Sequence, residues 1–116
     1  MNWSDYRVEI EATIYFLTAE EGGRNTPAFS GYRPQLYYDG QYWVAIHIYP
    51  DVEQVNPGDT VRTHLSLLAP EAHAGNVYPG KEFLIREGGK TVANGVVMKI
   101  LDPDALSSTP PDSAGA

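Results

Sequence analysis

The chain has 116 residues, enough for one domain with one hydrophobic core but not for a second catalytic lobe. It contains no Cys, which excludes disulfides, Cys-ligated zinc, iron–sulfur clusters and thiol nucleophiles. Fifteen Asp and Glu against eight Lys and Arg give a net charge of −7, which argues against non-specific binding to DNA, RNA or anionic membrane. No apolar run approaches the roughly 20 residues of a membrane span and no signal peptide is recognisable, so we expect a cytoplasmic protein.

The first half of the chain predicts three strands. Apolar and polar residues alternate over residues 7–17, which is typical of a half-buried strand, and a Gly-rich polar loop follows over 18–27. Residues 35–38 form a short predicted strand, and Asp39-Gly40 is a strong hairpin signal. The returning strand, residues 41–49, carries apolar side chains on both faces: Tyr42, Val44, Ile46 and Ile48 on one, and Trp43, Ala45, His47 and Tyr49 on the other.

The second half predicts three more strands, over residues 60–68, 82–87 and 90–101. The last two are joined at Gly88-Gly89, and Asn94-Gly95 predicts a bulge or bend inside the final strand. Six short strands separated by turns, with no convincing helix, predict an all-β fold, either a closed barrel or a small sandwich.

The end of the chain has a different composition. From residue 102 onward it is rich in Pro, Ser, Asp, Ala and Gly, and Leu106 is its only large apolar residue. Such a segment buries too little surface to offset the entropy of ordering it. We therefore expect one barrel domain over residues 1–101 and a disordered tail over residues 102–116.

No pattern of residues predicts catalysis, a metal site or a cofactor. Gly88-Gly-Lys-Thr91 resembles the end of a phosphate-binding loop, but the earlier Gly of that motif is replaced by Leu84 and a strand follows in place of a helix. His47, His64 and His73 lack ligand spacing, and we expect outward-facing or half-buried structural histidines. The acids near the first strand, Glu9 and Glu11 among them, are interpreted as a solvated face. The chain is therefore predicted not to be an enzyme.

Four of the eight cations lie beside turns: Arg24, Arg33, Arg86 and Lys90. Basic side chains next to exposed turn backbone can hold phosphates or a partner's carboxylates. The alternative is that they tie the loops down internally, by binding carbonyl oxygens or by pairing with nearby Glu residues. The pattern by itself leaves both interpretations open.

Several turn sequences resemble, in order and spacing, the C-terminal domain of bacterial elongation factor Tu. They are Glu20-Glu-Gly-Gly-Arg-Asn-Thr-Pro27, Gly31-Tyr-Arg-Pro-Gln35, Pro57-Gly-Asp59, Ile85-Arg-Glu-Gly-Gly-Lys-Thr-Val92 and Gly95-Val-Val97. The resemblance implies a closed, six-stranded antiparallel β-barrel. In the full factor this barrel follows a GTPase domain and a second barrel, helps to hold the T-stem of aminoacyl-tRNA, and meets the nucleotide exchange factor. Here it would be a free-standing copy without GTPase activity.

The resemblance also implies binding residues. Gln35 matches a tRNA-backbone contact of the family, and Glu87 and Gly88 match its contacts with the T-stem. Two departures weaken the tRNA surface, because residues 39–43 replace a Thr-rich stretch that supplies another backbone contact and Ala69 replaces a frequent cation.

Two functions follow from this pattern. The first is a non-catalytic module that binds a protein partner, such as a translation-related factor or a toxin, in a regulatory or immunity role. The alternative is a tRNA- or ribosome-binding protein that uses the family's T-stem surface.

Overall fold

The computed structural model describes residues 5–107. Within them, the strands are β1 (Ile10–Phe16), β2 (Ala28–Phe29), β3 (Gln35–Tyr38), β4 (Gln41–Ile48), β5 (Gln54–Val55), β6 (Thr60–Leu67), β7 (Glu82–Glu87) and β8 (Lys90–Ile100). Six of them close into an antiparallel barrel in the order β1-β6-β4-β3-β7-β8, and β2 pairs with β5 in a separate two-stranded sheet. A short 3₁₀ helix, Pro70–His73, follows β6. Among the described residues, no helix has the length and apolar character to cross a membrane.

The structure confirms the predicted barrel and all six of its predicted strands. All six end within one residue of the expected position, and five begin where expected, whereas β1 begins three residues after residue 7. The sequence missed β2 and β5, which are two residues long. Their pairing, Ala28 with Val55 and Phe29 with Gln54, joins segments distant in the chain, so no local periodicity announces them.

The barrel interior is filled by aliphatic and aromatic side chains from every barrel strand. Fully buried members include Ile10, Ile14, Leu36, Leu65, Ile85 and Val92. Burying side chains of this kind contributes about 1.5–3 kcal/mol each, and it is the main force that holds the barrel closed.

The register irregularities of the final strand lie in other places than the expected one. Register shifts fall opposite the Ile85/Arg86 and Glu11/Ala12 positions, and not at Asn94-Gly95. Position 95 requires glycine for another reason, because a Cβ there would lie 2.5 Å from Cζ of the Phe83 ring. The glycine leaves space for this buried aromatic ring.

The beginning of the expected tail is folded. Leu106 is only 9% exposed and belongs to the hydrophobic core, and the Arg7 guanidinium donates to the Asp102 carboxylate at 2.8 Å. The prediction of disorder from residue 102 was therefore wrong for residues 102–107, because one apolar side chain and one ion pair hold the segment to the barrel. The rest of the expected tail, residues 108–116, lies outside the described residues.

Candidate binding surface

The residues implied by the family resemblance meet at one end of the barrel. β3 runs antiparallel to β7, so Gln35 at the start of β3 lies opposite Arg86 near the end of β7. Glu87 and Gly88 follow directly in the β7–β8 hairpin, where Gly88 has a φ of 53°. Gln35 and Gly88 are exposed. The sequence placed these residues far apart, and the antiparallel pairing brings them together.

Glu87 is already engaged within the chain. Its carboxylate accepts hydrogen bonds from the Arg24 guanidinium and the Tyr32 hydroxyl. Arg24 also donates to the carbonyl oxygens of Thr26 and Pro27, at 3.3 Å each, and its guanidinium lies 4.7 Å from the Tyr32 ring centroid. Burial, and then the neighbouring Glu87 carboxylate, raises the pKa of the Tyr32 hydroxyl. Glu87 thus ties the loop before β2 to the β7–β8 hairpin.

Arg86 and Lys90 are also bound internally. Arg86 donates to the Thr91 hydroxyl at 3.0 Å and to the Gly89 carbonyl oxygen at 2.5 Å. Lys90 Nζ donates to the Gly23 carbonyl oxygen at 3.3 Å. With Arg24, three of the four cations beside turns therefore make the contacts expected of residues that tie loops down.

Arg33 is the exception among these four cations. It is exposed, and within residues 5–107 its guanidinium has no hydrogen-bond or ion-pair partner. It lies at the edge of a cleft of about 110 Å³ that also includes Val44 and Ile46 of β4 and Leu68 just after β6. This cation is available to a ligand.

The outer face of β4 is apolar. Its inward face carries Ala45 and His47, while Val44 and Ile46 are half-buried on the outside. The outward face of an antiparallel strand is usually polar where it meets water. Leu68 stands beside these residues with 73% of its surface exposed.

Two clefts share Val44 of this face and Leu68, and together we name them the β4 groove. The smaller cleft is lined by Arg33, Val44, Ile46, Ser66, Leu67 and Leu68. The larger one, about 290 Å³, is lined by Gln35, Tyr42, Trp43, Val44, Leu68, Ala69 and His73. Of the residues singled out in the sequence, only two line this groove: Gln35, which the resemblance implied, and Arg33, one of the four cations beside turns. The signal for the rest was present in the sequence, since residues 41–49 are apolar on both faces.

Aromatic rings border the groove. The Tyr37 and Tyr42 rings lie 4.7 Å apart between centroids, and the Arg86 guanidinium lies 5.7 and 5.8 Å from them. Tyr42 is half exposed. The edge of the groove therefore combines two aromatic rings with a guanidinium that is itself bonded to the β7–β8 hairpin.

Two histidines are more deeply buried than expected. His47 is 0% exposed, its Nδ1 lies 3.1 Å from the Tyr49 hydroxyl, and burial lowers its pKa to about 3. His73 is 1% exposed, its Nδ1 lies 2.5 Å from the Tyr38 hydroxyl, and burial lowers its pKa. Only His64 is half-buried as predicted. Within residues 5–107, no group of three His, Cys, Asp or Glu residues is arranged to hold a metal ion.

Glu9 and Glu11, which were expected to face solvent, are buried as well. The Leu67 amide donates to the Glu9 carboxylate at 2.7 Å, and burial raises the pKa of Glu9. Burial opposes ionisation of Glu11, but hydrogen bonds from Arg62 at 2.9 Å and His64 at 3.2 Å outweigh it, and the pKa of Glu11 lies below its usual value. The partners come from β6, so the prediction from β1 alone was wrong.

A closed six-stranded barrel with these turn sequences is the architecture of a translation-factor β-barrel. The sequence pattern of the family described as Elongation factor Tu C-terminal domain matches residues 6–101. The chain belongs to this family, as the turn sequences indicated. The matched domain is a non-catalytic barrel, and the chain carries a binding module of the translation-factor type.

Proposed function

We propose that this protein is a non-catalytic module that binds a protein partner in the cytoplasm, without GTPase activity. The partner would be a translation-related factor or a toxin that meets this barrel surface. The observation that carries the proposal is the β4 groove, where an apolar outer face replaces the polar one expected of a barrel strand. Its clefts lie beside an aromatic edge formed by Tyr37 and Tyr42.

The composition of the groove favours a protein ligand. The central parts of protein–protein interfaces are depleted in charged residues and enriched in Tyr, Trp and Arg. The groove and its edge contain Tyr37, Tyr42, Trp43 and Arg33, and no acidic residue lines either cleft. Leu68 presents a large apolar side chain to solvent, which is the kind of surface that association buries.

The tRNA-binding alternative rests on the exposed Gln35 and Gly88 at one barrel end. Affinity for nucleic acid comes mainly from cations that neutralise phosphates. Arg24, Arg86 and Lys90 already bind groups of this chain. That leaves Arg33 as the free cation of the set, so we expect little electrostatic affinity for a T-stem.

The experiment compares the two candidates with the same purified full-length chain. Partners are captured from the source cell, identified by mass spectrometry, and confirmed by calorimetry with the purified partner. Filter binding to aminoacyl-tRNA is measured from about 50 to 200 mM salt. We expect a stoichiometric protein complex and no tRNA binding at the lower salt.

Micromolar tRNA binding with a steep salt dependence, reduced by Gln35→Ala, would establish the alternative. GTP turnover that copurifies with the chain and is absent from a heat-unfolded control would contradict the non-catalytic proposal.

A further inference from the structure

The smaller cleft of the β4 groove has the dimensions and walls of a side-chain pocket. Its volume of about 110 Å³ is several times the roughly 30 Å³ that one water molecule occupies in the liquid. Val44, Ile46 and Leu67 supply apolar walls, and the exposed Leu68 forms a rim. An aliphatic side chain is therefore the ligand group that gains most by leaving water here.

The charge of the groove is complementary to a carboxylate. Fifteen acids and eight bases make up the charged residues of the chain, yet no acid lines either cleft. The one permanent charge in the lining is that of Arg33, which has no partner within residues 5–107. Arg binds carboxylates through two parallel hydrogen bonds, so an acidic side chain beside the aliphatic one would satisfy this cation.

The same charge argues against a second copy of this chain as the occupant. In a two-fold dimer the same patch of both subunits forms the interface. Two β4 grooves facing each other would bring two Arg33 cations into the contact, and neither groove lining supplies a carboxylate to pair them. A nucleic acid is disfavoured as well, because the walls are apolar and a single free cation faces them.

We propose that the β4 groove binds an extended segment of a partner protein in which a branched aliphatic residue lies next to Asp or Glu. The aliphatic side chain fills the smaller cleft, and the carboxylate pairs with Arg33. The neighbouring part of the segment lies over Val44 and Leu68 into the larger cleft, against Trp43 and Tyr42. This inference rests on the proposed function and names the ligand chemistry of its site.

The probe is a displayed library of short random peptides, selected on the immobilised full-length chain. We expect enriched sequences to contain Leu, Ile or Val adjacent to Asp or Glu. Binding of the enriched peptides is then titrated with the Trp3→Phe variant, in which Trp43 of the larger cleft is the only tryptophan. Its fluorescence reports occupation of the groove directly.

Two groove variants and two matched controls decide the result. Arg33→Gln and Leu68→Ser change exposed side chains of the groove, and each should weaken peptide binding by about 10-fold or more, which corresponds to about 1.4 kcal/mol. Lys99→Gln and Met98→Ser likewise replace a cation by Gln and a large apolar residue by Ser, at exposed positions of β8, which lies across the barrel from β4. The controls should leave the affinity unchanged.

Several outcomes would overturn the inference. They are enrichment of peptides without an acidic residue, no enrichment, equal loss in groove and control variants, and self-association of the chain that Leu68→Ser abolishes. A captured partner that still binds Arg33→Gln and Leu68→Ser at full affinity would refute the groove while leaving the proposed function standing. Binding of tRNA in place of any protein would refute the proposed function itself.

Discussion

His47 provides a test of the barrel interior that depends on the sign of one pKa shift. The imidazole faces the rings of Phe16, Tyr32 and Tyr49 at centroid distances of 6.4, 5.2 and 5.9 Å. Burial lowers its pKa to about 3, whereas an unfolded chain has a histidine pKa of about 6.5. The stability that this neutral histidine contributes is therefore complete above pH 6.5 and is lost as the pH falls towards 3.

The magnitude follows from proton linkage. Between pH 6.5 and 3 the unfolded state binds one proton more than the folded state, which costs about 1.4 kcal/mol of unfolding free energy per pH unit. Integrated from pH 7.5 to pH 5.0, the loss due to His47 is about 2 kcal/mol. For a domain of this size that is a fall in Tm of roughly 8–15 °C. The value is insensitive to the folded pKa, since pH 5.0 lies well above it.

The assay is chemical denaturation at several pH values between 7.5 and 5.0, with His47→Asn as the variant. Asn places an amide near the Nδ1 position, so it can keep a hydrogen bond to Tyr49 without titrating. We expect the variant to be less stable overall but to lose about 2 kcal/mol less over this pH range than the wild type. His73→Asn is the matched comparison, because burial lowers the pKa of His73 in the same direction. Parallel pH profiles for wild type and His47→Asn would refute the reasoning.

Three further predictions concern contacts elsewhere in the barrel. Gly95→Ala should destabilise the protein by about 1–3 kcal/mol, because the new Cβ would lie 2.5 Å from the buried Phe83 ring; thermal denaturation in a Phe83→Leu background should recover part of the loss. Arg24→Gln should lower the free energy of unfolding by about 1–2 kcal/mol, because Glu87 loses its partner. A double-mutant cycle with Glu87→Gln should show strong coupling, and additive losses would contradict the contact between Arg24 and Glu87. Glu9→Gln should melt at or above the wild-type Tm at pH 7, because burial raises the pKa of Glu9 and the fold disfavours the ionised carboxylate. This advantage of the variant should disappear towards pH 4, where the wild-type carboxyl is protonated as well. A variant that is less stable than the wild type at pH 7 but not at pH 4 would contradict the raised pKa.

Most of the fold could be predicted because its signals are local. Period-two alternation and turn residues such as Asp39-Gly40 are properties of neighbouring positions, and they located the six barrel strands. The bulge positions could not be found in this way, since a register shift depends on both paired strands. The burial of Leu106 was not predicted for a similar reason. A single apolar residue in a polar segment is buried only if the fold places that segment against the core, and this depends on the tertiary structure.

The candidate site was predictable only in part. The turn sequences identified the family and the positions of Gln35, Glu87 and Gly88. Pairing of the cations beside turns with Glu residues was one of two open interpretations, and the sequence did not decide that Arg24 binds Glu87. The pairing joins positions 63 residues apart, and only the closed barrel sets their distance. The sequence showed that residues 41–49 are apolar on both faces of the strand. It did not show which face would point into the barrel.

The amino-acid sequence by itself determined the class of this protein: an all-β barrel with turn sequences of the elongation factor Tu C-terminal domain. Strand periodicity and turn chemistry are short-range properties, so they can be read without coordinates. Only the tertiary structure decided which charges remain free. Three of the four cations beside turns donate hydrogen bonds to groups of this chain, whereas the Arg33 guanidinium, next to an apolar groove, has no partner among residues 5–107. Such pairing depends on distances across the barrel, which closure of the sheet alone establishes.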